Sequence, residues 1–264
     1  GETNNRPYLA LEYMAKGDVA NMLRKSRAPV PELQALRIAL EVADGLQAIE
    51  AAEMMHRDIK PDNIFLAADG TVKIADLGLS KSADDDEGLT MIGKSVGTPG
   101  YMSPEQALGR YDVNIRTDLF SLGATLYHML SGQLPFRGDS PQATMRLVVK
   151  EDPAPLGRLC PQLMPGTVAI VDGLMRKKPT DRYQRPAHLI EDLQRLARLG
   201  KAFDTTQLNL PTRQQTTAVA AVRGETSSVQ RPASRAARAG VSDRFVVAQP
   251  LWRRLLGRLI PSLR

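Results

Sequence analysis

The eight residues from His56 to Asn63, reading His-Arg-Asp-Ile-Lys-Pro-Asp-Asn, place an acid, a lysine two positions on and an amide three further in one short run. Pro61 fixes φ within it, so Asp58, Lys60 and Asn63 bring three polar heads to a single loop. Such a set suits phosphoryl transfer. A base must orient a hydroxyl, a cation must neutralise the moving phosphate, and an oxygen ligand must hold a metal, all within a few ångströms. A His-Arg-Asp triplet alone reads as a polar turn after a helix; all eight residues, with a second motif downstream, do not.

The flanking sequence supplies elements able to position this loop. Glu32 to about Glu53 carries an apolar stripe through Leu36, Leu40, Ala43 and Ile49, which predicts a helix entering the loop. On the far side, Ile64 to Ala67 and Val72 to Ile74 read as strands around Ala68-Asp69-Gly70, a hairpin that delivers Asp76. Before the helix, Tyr8 to Met14 reads as a buried strand broken by Ala15-Lys16-Gly17-Asp18. Asp18 is a good N-cap for a short helix through Leu23, ended at Pro29-Val30-Pro31. Asp76 to Glu105 is polar and punctuated by glycine, with Asp84-Asp85-Asp86-Glu87, Thr90, Ser95 and Thr98, and is expected to be mobile. Asp118 opens a helix to about Leu130, apolar on nearly every side and so expected at the centre of a helical body. Ser140-Pro141 starts another helix. After a proline-rich loop from Asp152 to Pro165, Val168 to Met175 and Arg185 to Leu199 read as the last two, with the domain ending near Gly200.

Composition bounds the alternatives. A chain of 264 residues can bury a substantial core in one domain plus a tail. The single cysteine, Cys160, excludes an intramolecular disulfide and reads as a small buried hydrophobe, as expected of a reducing compartment. The net charge of +6 is unevenly placed: residues 200–264 hold eleven Lys or Arg against three acids, a net of +8, which leaves the body at −2. A near-neutral body argues against a general nucleic-acid-binding domain, although the tail suits anions. No apolar run approaches the ~20 residues of a membrane span, and the start shows no signal-peptide pattern.

The loop, the Asp76-Leu77-Gly78 triplet and the segment Gly97-Thr98-Pro99-Gly100-Tyr101-Met102-Ser103-Pro104-Glu105 together resemble the eukaryotic-type serine/threonine protein kinases. The texture of Gly93 to Phe136 is similar to bacterial members. The resemblance covers residues 8 to about 199 and implies a mainly α fold with small β elements: the large lobe and hinge, with the small lobe truncated. It implies ATP and Mg²⁺ as cofactors, with Asp58 orienting or accepting the hydroxyl proton, Lys60 stabilising the γ-phosphate, and Asn63 and Asp76 holding the metal. It further implies that Leu11 is the gatekeeper, that Glu12 to Met14 form the hinge and that Asp18 meets the ribose. Phe65 joins Leu11, Glu12, Met14 and Asp18 in the nucleotide-binding set. Arg57 would receive a phosphate on Thr90 or Ser95, and Thr98 would bond the acid and lysine. Structural roles fall to His56, to Asp118 as a buried carboxylate bonding backbone near His56, and to a Glu105–Arg182 salt bridge. Leu77 and Phe120 replace the more usual Phe and Trp, and Ser103 the more usual Ala. Lys60 after the acid favours Ser/Thr over Tyr substrates, autophosphorylation among them.

Residues 201–250, rich in Thr, Ser, Gln, Ala and Arg, have the composition of a disordered basic linker. In 251–264, Leu251, Trp252, Leu255, Leu256, Leu259, Ile260 and Leu263 share one helical face and Arg253, Arg254 and Arg258 another. Such a basic amphipathic helix suits a membrane surface, a partner or the body of the protein itself. A cytoplasmic location, with that surface contact open, is the expectation. The Gly-rich loop, strand lysine and partner glutamate of the family are absent, and the chain reads as a fragment whose upstream part is missing. A non-catalytic kinase-like binding module is the alternative, against which the intact Asp58, Lys60, Asn63 and Asp76 argue. The purified 264-residue chain is expected to show negligible Mg-ATP-dependent phosphorylation; robust transfer would refute this.

Overall fold

The computed structural model describes residues 1–3, 6–8, 10–26, 28–77, 98–110, 112–200 and 208–210. The chain divides into two units, Gly1–Arg223 and Gly224–Arg264, and all described residues lie in the first. The expected amphipathic helix at 251–264 and nearly all of the expected linker, like Thr90 and Ser95, lie outside the described residues.

A short exposed hairpin pairs β1 (Glu2–Thr3) with β2 (Arg6–Pro7). The run that follows departs from the expected buried strand: Tyr8, Leu11 and Tyr13 are exposed, by 76% at Leu11 and 87% at Tyr13. A strand is defined by the ladder its backbone joins. Among the described residues the only backbone bond from 10–14 is Met14 O accepting Gly17 N. The next residues are anchored, because Lys16 N donates to Leu66 O, Leu66 N donates to Gly17 O, and Asp18 bridges Phe65. Asp18 then caps α1 (Val19–Ser26) through Asn21 N at 2.6 Å; the helix runs one turn beyond the expected Leu23.

The core is built on two long helices. In α2 (Glu32–Ala51), residues Ala35 to Ala43 are buried on almost every side, with Leu46 below them. It packs on α4 (Ile115–Ser131) and α8 (Pro186–Leu199). Helix α4 is apolar all round and is buried accordingly. It starts a turn earlier than expected because Asn114, not Asp118, caps it, and it ends at Gly132, whose φ of 71° permits the left-handed stop. The hairpin β3 (Ile64–Leu66) and β4 (Val72–Ile74) pairs Ile64 with Ile74 and Leu66 with Val72. Helix α2 holds it: Val72 N donates to the buried carboxylate of Glu41 at 2.7 Å, and Arg37 donates to Gly70 O at 2.7 Å.

Short α3 (Pro104–Ala107) precedes α4; α5 (Pro141–Lys150), capped by Ser140 as expected, α6 (Leu156–Leu159) and α7 (Pro165–Leu174) follow. Of these helices, α6 and α7 pack on α4, and α3 packs on α5. Helix α6 interrupts the expected proline-rich loop. Past the expected boundary at Gly200, residues 208–210 pack back on α7 and α8. Among the described residues no helix is long and apolar enough to cross a membrane.

Gly123 lets α4 approach α7: a Cβ there would lie 2.6 Å from Leu174 Cβ and 3.0 Å from Met175 Cγ. Helix propensity alone would make Gly123→Ala stabilising by about 1 kcal/mol. We expect the opposite sign, a loss of about 1–3 kcal/mol from overpacking, read as a lower urea midpoint.

Candidate active site

The loop after α2 is fixed from below. Asp118, fully buried in the first turn of α4, accepts from His56 N at 2.9 Å and Arg57 N at 2.7 Å. Burial pushes this carboxyl above its ordinary value, and the two backbone donors pull it back towards ionisation. Arg57 has a φ of 66°, a left-handed conformation costly for a residue with a Cβ. Both ends of its peptide geometry are held, because Gln106 Nε2 donates to Arg57 O at 2.8 Å. Gln106 also completes a capping box with Ser103 at the start of α3. That Ser-x-x-Gln spacing is readable in sequence as a cap; its second bond, to the loop, is not.

His56 has no solvent exposure and links the two motifs. Its Nε2 faces Ala75 O at 2.8 Å while its Nδ1 lies 3.3 Å from Asp58 N. A carbonyl only accepts and an amide N–H only donates, so the ring carries its proton on Nε2. Ala75 N in turn donates to Asn63 O at 2.9 Å. The residue before Asp76 is therefore pinned to both ends of the loop.

Within the loop, Lys60 Nζ sits 2.8 Å from Asp58 Oδ2, and Asn63 Nδ2 donates to Asp58 O at 2.8 Å and to Oδ2 at 3.0 Å. A short 3₁₀ turn, Pro61–Asn63, brings the amide back over the acid. Two of these contacts fall on Oδ2 and the third on the backbone carbonyl; among the described residues Oδ1 has no hydrogen-bond partner. The side chain is 29% exposed, open enough to meet a substrate. Asp76 is exposed at a φ of 56°. Its carboxylate and Asn63 Oδ1 are hard oxygen donors, and Mg²⁺ takes one or two protein oxygens beside phosphates and water, so this donor set fits that ion. Among the described residues no cluster of three His, Cys, Asp or Glu forms a protein-only metal cage.

The nucleotide-side residues are less gathered. Phe65 is half-buried opposite Asp18, whose two oxygens both engage Asn21. Met14 is half-buried, Leu11 lies open, and Glu12 pairs with Lys73 on β4. Thr98, expected on the acid and lysine, is exposed before a Pro99–Tyr101 turn and has no side-chain bond to either among the described residues. Thr98 instead lines a cavity of about 570 Å³ with Leu23, Asp62, Tyr101, His128 and Gln133. Tyr101 OH and His128 Nδ1 meet there at 2.6 Å; burial raises the phenol and lowers the imidazole, while the charge of Asp62 raises both.

Below the site, Arg182 and Glu105 form the expected pair, buried and bidentate at 2.7 and 2.8 Å. All five Arg182 donors are used: the rest reach Arg176 O, Arg116 O and Lys177 O, and the guanidinium covers the Phe120 ring at 4.8 Å. Thr117 Oγ1 donates to Glu105 at 2.8 Å. Burial alone would raise the Glu105 carboxyl, but the hydrogen bonds and charge of Arg182 outweigh it and hold the group below its ordinary value.

A loop of acid, lysine and amide, an aspartate held beside it, and a buried Glu–Arg pair beneath are the parts of a kinase large lobe. The protein kinase domain model matches residues 1–192, and the chain belongs to that family. It is 35% identical over 197 residues to a probable serine/threonine-protein kinase of Corynebacterium efficiens, covering 73% of this chain and 30% of that one. It is 34% identical over 190 residues to serine/threonine-protein kinase PknB of Mycobacterium leprae, covering 72% and 30%. A probable serine/threonine-protein kinase of Clostridium perfringens shares 33% over 196 residues, at 74% and 28%. The chain thus spans about 30% of the length of these curated relatives.

Removing the charge of Glu105 leaves a buried guanidinium unpaired. Glu105→Gln is expected to cost roughly 3–5 kcal/mol in urea unfolding. Because the folded-state carboxyl lies below its ordinary 4.5, its stabilisation is present above that pH and is lost as pH falls through the depressed value. The wild-type protein should lose this stability on acidification below 4.5, and the Gln variant should lack that component.

Proposed function

We propose that the protein of which this chain is part is a serine/threonine protein kinase, transferring the γ-phosphoryl group of ATP to Ser or Thr hydroxyls of proteins. The observation that carries the reading is the convergence on Asp58: Lys60 and Asn63 both meet its Oδ2, and the side chain stays 29% exposed, with no partner on Oδ1 among the described residues. In this reading the substrate hydroxyl oxygen attacks the γ-phosphorus as the bond to the β-bridging oxygen breaks. ADP departs, and Asp58 orients and then takes the hydroxyl proton. Lys60 shares its charge between Asp58 and the γ-phosphate. Asn63 Oδ1 and Asp76 would hold Mg²⁺, which when bound would neutralise charge on the phosphates. Their common anchor at Ala75 supports this pairing.

The nucleotide side rests on weaker gathering. Asp18 would turn from capping α1 to meet a ribose hydroxyl, with Met14, Leu11, Glu12 and Phe65 along the base. The cavity beside Asp62 and Thr98 adjoins the loop and is the natural place for polypeptide flanking the acceptor hydroxyl. Arg57, next to the acid, would read a phosphate from Thr90 or Ser95. The exposure of Thr98 supports a role towards substrate in place of the expected bond to Asp58. A reducing, cytoplasmic setting suits the single buried thiol of Cys160.

In the intact protein, Asp58→Asn keeps the size of the side chain and both contacts to Oδ2 in outline, but cannot accept the proton. Transfer to a Ser/Thr substrate should fall by roughly 10²–10⁴-fold, with nucleotide affinity nearly unchanged by fluorescence titration. Undiminished transfer would remove Asp58 from its role.

A further inference from the structure

Residues 208–210 lie against the end of the helical body in a manner that a polar linker composition does not explain. Asp192, on α8, has no solvent exposure. It receives Tyr183 OH at 2.9 Å and lies 3.5 Å from Arg195, yet its shortest contact comes from beyond the helix: Asn209 N donates to Oδ2 at 2.7 Å. Asn209 Nδ2 adds Oδ1 of Asp192 at 3.0 Å, Glu191 Oε2 at 3.1 Å and His188 O at 3.3 Å. One asparagine thus satisfies a buried carboxylate with main chain and side chain together, a group that is costly to leave short of donors.

The neighbouring residue has a matching socket. Gly173 lies within α7, where glycine costs about 1 kcal/mol against alanine. A Cβ at that position would fall 2.5 Å from Leu210 Cδ1 and 2.9 Å from Cδ2. The missing side chain on α7 is the space that the Leu210 side chain fills. Two specific features, a buried acid and a bare helix position, therefore meet two consecutive residues.

We propose that the α7–α8 face is a recognition site for an Asn-Leu segment, and that its ligand is the chain's own residues 209–210. The side-chain amide bonds to Asp192, Glu191 and His188 O select asparagine, and the bare Gly173 position admits the two branch methyls of leucine. The site is independent of the phosphoryl-transfer reading, since it touches none of the residues invoked there.

Hydrogen exchange on the full chain tests it. The Asn209 amide should be protected, and equally so on dilution. Asn209→Asp sets a third carboxylate against Asp192 and Glu191, and Gly173→Ala fills the slot without touching the acid. Each should speed exchange at residue 209 by about 10- to 100-fold, the worth of a hydrogen bond to a charged group. A synthetic peptide of residues 205–213 should bind the Asn209→Asp chain, whose socket is intact and vacated, and bind the Gly173→Ala chain at least tenfold more weakly. An unprotected wild-type amide, or equal peptide binding to both variants, would overturn the proposal. Protection that disappears on dilution would assign the segment to a second copy and overturn the intramolecular assignment.

Discussion

A carboxylate without solvent exposure, Asp118, spends one oxygen on His56 N and the other on Arg57 N, and the geometry of the whole loop follows from that pair of bonds. Burying an acid is expensive unless donors meet it. The two amides that meet it belong to a segment with a left-handed residue at its centre, so the acid's need and the loop's strain offset each other. From His56 the constraint passes through the imidazole to Ala75, and from Ala75 to Asn63. Asp58 and Asp76 are thus held by one network although eighteen residues separate them in sequence.

The buried Glu105–Arg182 pair serves the other wall. Five donors with five acceptors leave the guanidinium no alternative position, and Glu105 is thereby fixed at the start of α3. Gln106, the next residue, inherits that fixity and hands it to Arg57 O. The two buried acids therefore converge on one residue: Asp118 takes the N–H of Arg57 directly, and Glu105, through its neighbour Gln106, fixes the Arg57 carbonyl. One lies above its ordinary protonation range and the other below. Burial raises both; at Asp118 the backbone amides of His56 and Arg57 and the nearby Arg57 charge do not outweigh it, whereas at Glu105 the paired Arg182 guanidinium does.

Much of this was legible because the chemistry leaves few choices of residue. Asp58, Lys60 and Asn63 converge as their spacing implied, the hairpin delivers Asp76, Ser140 caps its helix, and Arg182 finds Glu105. What was not legible has definite causes. An aromatic and aliphatic run such as Tyr8–Met14 reads the same whether or not a ladder exists to cover it, and here Leu11 and Tyr13 are exposed. Asp118 bonds the backbone at His56 as the resemblance implied, but the residue that caps its helix, Asn114, was not foreseen. The positive φ of Arg57 and Asp76 carries no glycine to announce it. Asn209 and Leu210 stand in a stretch whose average composition hides two residues with specific partners.

The separation of these partners along the chain bears on how the protein is made. His56 waits 62 residues for Asp118, and Glu105 waits 77 for Arg182. A chain emerging from the ribosome at about 5–20 residues per second therefore presents the loop for several seconds before either support has been synthesised. Helix α2 has local contacts enough to form early, whereas the loop after it has only a few short-span bonds, such as Lys60 and Asn63 to Asp58, until its distant supports are made. The site is thus among the last regions to become rigid during synthesis, and the nascent loop is exposed to chaperones and proteases in a way the finished lobe is not.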